Sequence, residues 1–197
     1  MAEELQAPER LELDAWLVYL VAGLALTVAY VVAHATGPAW LNSGPVYNLL
    51  GGSALLALVL GVKANAPTSR LPWYLMAAGV ALFLASNIIA YNYARIFGSS
   101  LPMPSIADPP HLAFYPLFIT GLVLATRDRE AEDRAGLIDA AIVTVALAAL
   151  LWVYLISPYF QETGMPALRR LVSVAYPSMD ILLIAVVARV AAGTRAT

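Results

Sequence analysis

The chain has 197 residues, of which 61% are hydrophobic and 12% are charged, and its formal net charge is −2. A soluble domain carries about 25% charged residues, so this chain has too few polar side chains to cover a water-facing surface. The slightly acidic charge excludes the basic footprint of a nucleic-acid-binding protein. Without cysteine, disulfides and thiolate metal sites are excluded as well. The composition predicts an all-α, polytopic membrane protein whose main partner is the lipid bilayer.

Six apolar stretches are expected to be transmembrane helices, because crossing the hydrocarbon core takes about 20 residues. The N-terminal tail, residues 1–14, is acidic and lacks the basic start of a signal peptide, so the first stretch is predicted to be retained. The transmembrane domain is expected to cover 15–191. The tail at 192–197 is expected to be cytosolic. In chain order the six predicted spans are Ala15–Ala35, Val46–Val62, Leu71–Tyr91, Leu112–Thr126, Leu137–Ser157 and Leu171–Val190.

Proline residues bear on the fourth, fifth and sixth spans. The fourth span is short when counted from Leu112, and an earlier start at Pro109–Pro110 is the alternative. Pro158 is expected to end the fifth span, because proline inside a helix removes a backbone donor. Pro116 and Pro177 lie inside spans and are expected to kink their helices.

The distribution of lysine and arginine predicts the orientation of the chain in the membrane. Cytosolic loops of membrane proteins carry an excess of these residues. With six spans, both termini lie on the same side, which is therefore predicted to be the cytosol. That side holds eight basic residues, Arg10, Lys63, Arg70, Arg127, Arg129, Arg134, Arg189 and Arg195, and the other side holds three, Arg95, Arg169 and Arg170.

Asp180 is the first candidate for a ligand-binding or signalling residue. It lies near the middle of the sixth span, where an unpaired carboxylate costs a few kcal/mol, about 3 on insertion scales. Its candidate partners are Tyr176, Ser173, Ser178 and polar groups on neighbouring helices. Two interpretations stay open. Asp180 fixes the packing through an interhelical hydrogen bond, or it binds a ligand or transmits a signal.

A second group of candidates lies at the start of the fourth span. Asp108 with Ser105 is predicted to cap this helix, and the alternative is an outward-facing site that Asp108 shares with His111 and Tyr115. In the third span Asn87, beside Ser86, is predicted to hydrogen-bond between helices or to line a pocket. The sequence contains no recognisable catalytic motif, and two isolated histidines do not indicate haem. No catalytic residue, metal or cofactor is therefore predicted.

The fourth and sixth spans share a short motif. Each contains the dipeptide Tyr-Pro, at Tyr115-Pro116 and at Tyr176-Pro177, and each ends at an arginine. Both are predicted to run from outside to inside. Duplicated segments occur in many membrane proteins, although a dipeptide alone is a weak indication.

Three stretches of the chain resemble a known family. They are PMPSIADPPHLAFYPLFITGLVL at 102–124, RAGLIDAAIV at 134–143 and AYPSMDILL at 175–183. Their order resembles the multi-helix N-terminal membrane region of actinobacterial signalling proteins, which precedes cyclic-di-GMP enzymes with GGDEF and EAL domains. The resemblance covers about residues 46–190. The chain departs from the family pattern at His111-Leu112, where Tyr-Leu is usual, and at Ser86-Asn87, where Gly-Asp is frequent.

The resemblance implies a sensory or anchor domain in the inner, cytoplasmic membrane of a bacterium. Such a domain passes a signal, here from an unknown small ligand, to a cytosolic effector in cis or in trans. The resemblance therefore implies either that the tail at 192–197 is truncated before an effector domain or that the region is a minimal domain. A homodimer is implied too, because cyclic-di-GMP synthesis requires two active sites to meet. These residues contain no GGDEF or EAL motif, so they are not expected to be an enzyme themselves. The alternatives are a structural or assembly subunit of a membrane complex and a small transporter or channel.

Overall fold

The computed structural model describes residues 8–36, 44–127 and 134–193. All regular secondary structure within these ranges is helical, which confirms the predicted all-α class. The helices are α1 (Pro8–Thr36), α2 (Gly44–Asn65), α3 (Leu71–Phe97), α4 (Asp108–Thr126), α5 (Arg134–Leu151), α6 (Ser157–Gln161) and α7 (Ala167–Gly193), with a π-helical turn at Trp152–Ile156 between α5 and α6.

Five stretches of the described chain are long and apolar enough to cross a membrane, and α1 contains a shorter apolar stretch, Leu17–Val32. Most large apolar side chains of these helices are exposed. Such a surface is unfavourable in water but suits hydrocarbon, where helices satisfy their own backbone hydrogen bonds. The chain is a multi-pass membrane protein, as predicted. The five long stretches are Val46–Asn65, Leu71–Phe97, Asp108–Thr126, Ala140–Gln161 and Ala167–Ala191.

The chain forms two compact units, Met1–Ser53 and Ala54–Thr197. In the first unit, α1 contacts the beginning of α2 at two levels. The Tyr19 hydroxyl lies 3.3 Å from Ser53 Oγ, and the rings of Tyr30 and Tyr47 lie 6.2 Å apart. The later residue of α1, Tyr30, contacts the earlier residue of α2, Tyr47, so the two helices run antiparallel.

In the second unit, glycines allow α3 and α4 to approach closely. A Cβ atom at Gly121 would lie 2.5 Å from the Pro72 carbonyl oxygen, and one at Gly79 would lie 3.1 Å from the Phe114 carbonyl oxygen. Small residues permit this backbone approach in membrane helices, where dispersion contacts replace the hydrophobic effect as the source of association. The early residue of α3, Pro72, lies beside the late residue of α4, Gly121, so α3 and α4 are antiparallel.

The remaining long helices of the second unit extend this pair. α4 also packs against α7, and α7 packs against α5. The spatial order is therefore α3, α4, α7, α5, and α7 lies between two helices that precede it in the chain. This order places the fourth predicted span beside the sixth rather than beside the fifth.

Prolines lie at or near two helix boundaries. The fourth span begins at Asp108, which agrees with the earlier-start alternative and places Pro109–Pro110 in the first turn, where a backbone donor is not needed. The prediction that Pro158 ends the fifth span is wrong, since the helix continues to Gln161. The Ser157 backbone N–H donates to the Trp152 carbonyl, the wider spacing of a π turn. That wider turn immediately before Pro158 accommodates the proline ring, so the helix passes through it.

Candidate functional site

α4 begins at a turn in which Ser105 and Asp108 are hydrogen-bonded to each other. Asp108 Oδ2 accepts a hydrogen bond from the Ser105 backbone N–H. Ser105 Oγ accepts one from the Ala107 N–H at 3.2 Å, and the Asp108 N–H donates to the Ser105 carbonyl at 3.2 Å. This Ser-x-x-Asp arrangement resembles a capping box, which satisfies donors at a helix start. Asp108 and Ser105 are therefore paired, but they order the turn before α4, and the N-cap residue of the helix, Ala107, has no side-chain cap hydrogen bond.

The other carboxylate oxygen of Asp108 is hydrogen-bonded to α7. Asp108 Oδ1 accepts a hydrogen bond from the Tyr176 hydroxyl. Further along the same two helices, the Tyr115 hydroxyl donates to Asp180 Oδ1 at 2.7 Å. Each helix thus supplies one tyrosine and one aspartate, and each tyrosine donates to the aspartate of the other helix. We call these four residues the reciprocal Tyr–Asp pairs.

The order of the two contacts defines the relative direction of α4 and α7. Tyr115 follows Asp108 by seven residues and Asp180 follows Tyr176 by four, which corresponds to about 10 Å and 6 Å along a helix. Contacts that occur in the same order along both helices require the helices to run in the same direction. The predicted fourth and sixth spans are therefore parallel, and a single crossing by the fifth span separates them.

His111 lies between the reciprocal Tyr–Asp pairs and α3. Its Nδ1 is 3.3 Å from Ser86 Oγ, and its ring packs edge-on against Tyr176 and Phe83 at centroid distances of 5.0 and 4.8 Å. Both Asp108 and Asp180 are close enough to act electrostatically on the imidazole.

The tautomer of His111 follows from the hydrogen bonds of Ser86. Ser86 has 2% of its surface exposed, and its hydroxyl donates to the Ala107 carbonyl at 2.8 Å. A serine hydroxyl has a single hydrogen to donate, so towards His111 the oxygen acts as acceptor. The geometry therefore assigns a proton to Nδ1 of His111.

Five of the six candidate residues meet at this place, Asp108, His111, Tyr115, Tyr176 and Asp180, and the sixth does not take part in their hydrogen bonds. The Asn87 side chain donates to the Phe83 carbonyl of its own helix at 2.9 Å. The predicted interhelical bond of Asn87 is therefore not found. Its neighbour Ser86 provides the connection to α4, although nothing in the sequence distinguished it from Asn87.

Asp180 takes its partner from a neighbouring helix rather than from the candidates on its own helix. Helical side chains lean towards the N-terminus, so Tyr176 extends away from Asp180 and reaches Asp108. The Ser178 hydroxyl donates to the Val174 carbonyl within α7 at 2.8 Å. Ser173 is buried, with 3% of its surface exposed, and its hydroxyl has no hydrogen-bond partner in the described part of the chain.

The site is a polar cluster of two carboxylates, two phenols and an imidazole between helices of a membrane-embedded bundle. These groups can hold helices together, accept a proton or bind a polar ligand. Fold and span composition together define the class, a multi-pass membrane protein with a polar contact between parallel helices. No family model, curated protein or solved structure matches the chain.

Proposed function

We propose that this chain is the membrane-embedded sensory or anchor region of a signalling protein in the cytoplasmic membrane of a bacterium. It would pass a signal to a cytosolic effector that makes or hydrolyses cyclic-di-GMP, in cis or in trans. The observation that supports this proposal best is the reciprocal set of hydrogen bonds between α4 and α7.

The α3–α4 contact is expected to stay fixed. Gly79 and Gly121 bring the two backbones so close that a shift of either helix would separate many packed atoms at once. Packed interfaces of this kind have discrete arrangements and do not slide continuously. α3 and α4 therefore form the frame against which a neighbouring helix moves.

The α4–α7 contact depends instead on exchangeable polar bonds. Tyr115 and Tyr176 donate to carboxylates whose preferred partners change when a proton or ligand binds. A ligand shifts such an equilibrium only as far as its affinity differs between the two arrangements. A ligand that competes with the tyrosines for Asp108 or Asp180 has this differential affinity, because it binds one arrangement and not the other.

The length of α7 makes it suitable for carrying such a change across the membrane. The helix has 27 residues, which corresponds to about 40 Å. A displacement of the helix near Tyr176 therefore also moves its far end, close to Arg189. The charge distribution predicts that this end is cytosolic, which is where the proposed effector acts.

The resemblance to the cyclic-di-GMP signalling proteins supports the same effector. The stretches that carry it, 102–124 and 175–183, contain all four residues of the reciprocal Tyr–Asp pairs. These residues are therefore both the resembling positions and the interhelical contacts. This agreement favours a shared structural role over a chance similarity of two dipeptides.

The first test is the intracellular cyclic-di-GMP level in the source organism carrying Tyr176→Phe. Loss of the hydroxyl releases Asp108, so we expect the level to change by about fivefold, the lower end of typical allosteric coupling. Tyr154→Phe is the matched control, because Tyr154 is 72% exposed and lies outside the α4–α7 contact. An unchanged nucleotide level, with equal amounts of both proteins in the membrane, would overturn the proposal.

The intact mass of the protein isolated from its native membrane separates the two kinds of effector. A mass well above the 21.0 kDa of this chain would show an effector in cis. A mass near that value would require an effector in trans, and copurification of a cyclic-di-GMP enzyme would then be expected.

A further inference from the structure

The position of Asp180 creates a requirement that the described chain does not meet. Asp180 lies thirteen residues from the start and eleven from the end of the membrane-crossing stretch Ala167–Ala191. At 1.5 Å per residue these separations are about 20 and 16 Å, so the carboxylate sits near the middle of the bilayer. Its side chain is exposed. A charged side chain at this depth is kept only where it faces a partner or a wet cavity.

The carboxylate is also only half satisfied. Oδ1 accepts the hydrogen bond from Tyr115, whereas Oδ2 accepts none from any residue that the structure describes. A carboxylate has about four acceptor positions. Oδ2 therefore offers free acceptor positions on the exposed side of α7.

The face of α7 around Asp180 is covered at one end and open at the other. Ser173, Asp180 and Val187 follow one another at spacings of seven residues, which places them within about 20° of each other per step on one side of a helix. Ser173 has 3% of its surface exposed and Val187 has 46%. Leu183 and Ile184, between Asp180 and Val187 on this side, are half-buried. We call the two exposed positions, Asp180 and Val187, the open α7 face.

We propose that the open α7 face binds a transmembrane helix of another protein that carries a lysine or arginine near mid-membrane. Charge complementarity is the argument. In the six predicted spans of this chain, lysine and arginine occur only near the ends, so these spans supply neither residue at the depth of Asp180. A second copy would bring a second Asp180 to the first, which is unfavourable for two carboxylates. A basic side chain forms a charge-assisted hydrogen bond with Oδ2 and removes the cost of the exposed charge.

This inference goes beyond the proposed function, since it concerns a membrane partner and does not require any effector. It also assigns the two oxygens of Asp180 separate roles. Oδ1 holds α7 against α4, and Oδ2 binds the partner helix.

The test uses synthetic single-span peptides of leucine and alanine, one with a single central lysine and one with leucine at that position. The chain has no cysteine, so Leu168→Cys, at an exposed site at the start of α7, takes a donor fluorophore, and the peptides carry an acceptor. In phosphatidylcholine vesicles we expect energy transfer to show about tenfold tighter binding of the lysine peptide. Asp180→Asn should remove this difference.

A second variant covers the case in which Asp180→Asn disturbs the fold. Val187→Trp leaves the reciprocal Tyr–Asp pairs unchanged and adds bulk to the open α7 face, so it should weaken binding of the lysine peptide. Equal binding of both peptides to the wild-type chain would overturn the proposal. It would also be overturned by energy transfer between copies of the chain that depends on Asp180 and that the lysine peptide does not compete away. Neither result bears on the cyclic-di-GMP measurement.

Discussion

Tyr115 and Asp180 differ sharply in their surroundings although they share a hydrogen bond. Tyr115 has 4% of its surface exposed, whereas Asp180 is exposed. The ring of Tyr115 is therefore held by packing, and its hydroxyl is presented to the carboxylate in a fixed position. Because a hydrogen bond to a charged acceptor is stronger than one between neutral groups, this contact anchors α7 on α4.

Removing the hydroxyl of Tyr115 tests how much its hydrogen bond to Asp180 stabilises the protein. Tyr115→Phe keeps the ring packing but leaves Asp180 Oδ1 without its donor, so we expect the free energy of unfolding to fall by about 1–2 kcal/mol. Unfolding of the protein in lipid–detergent bicelles, followed by circular dichroism, measures the change. Tyr154→Phe serves as control, and an equal effect of the two substitutions would contradict the role of this bond.

At the scale of the elements, the contacts of α4 on its two sides differ in kind. On the side of α3, Gly121 of α4 and Gly79 of α3 bring the two backbones into close contact. Towards α7 it presents the hydroxyl and carboxylate of Tyr115 and Asp108. Dispersion contacts are numerous and short-ranged, whereas polar bonds are few and can be exchanged. One helix thus combines a rigid and an exchangeable interface.

A methyl group at Gly121 tests the rigid interface. The added Cβ would lie 2.5 Å from the Pro72 carbonyl oxygen and 2.6 Å from Met76 Cγ, so α3 and α4 must separate. Overpacking of this kind costs about 1–3 kcal/mol, and we expect Gly121→Ala to lower the thermal unfolding midpoint in detergent.

Gly52 provides the matched control for this substitution. A Cβ at Gly52 meets no atom within 4 Å, and alanine is favoured over glycine in a helix by up to about 1 kcal/mol. Gly52→Ala should therefore leave the midpoint unchanged or raise it. A midpoint for Gly121→Ala at or above that of the wild type would show that α3 and α4 are not packed as closely as described.

For the second unit as a whole, the direction of its helices makes a topological prediction. α3 and α4 are antiparallel and α4 and α7 are parallel, so the loops before α4 and before α7 lie on one side of the membrane. The loop before α3 lies on the other side. The charge distribution predicts that this last loop is cytosolic, because it is flanked by Lys63 and Arg70.

Labelling of single cysteines in the cysteine-free chain tests this arrangement. Leu101→Cys and Glu162→Cys, in the loops before α4 and α7, are expected to react with a membrane-impermeant maleimide added outside intact cells. Ser69→Cys, exposed in the loop before α3, is expected to react only after the membrane is opened. Labelling of Leu101→Cys and Glu162→Cys from opposite sides would contradict parallel α4 and α7. Reversed labelling of all three would reject only the predicted cytosolic side.

The sequence by itself determined the membrane class and the approximate spans, and it singled out five residues that meet in one cluster. These follow from local rules, since bilayer thickness sets the length of an apolar helix and a charged or kinked position inside it is conspicuous. Only the tertiary structure decided that Asp180 pairs with Tyr115, that Ser86 rather than Asn87 joins α3 to His111, and that the fifth helix continues past Pro158. Membrane helices are apolar on all sides, so their sequences carry little information about which neighbour each face meets. That choice depends on small residues and polar groups of distant segments meeting across an interface.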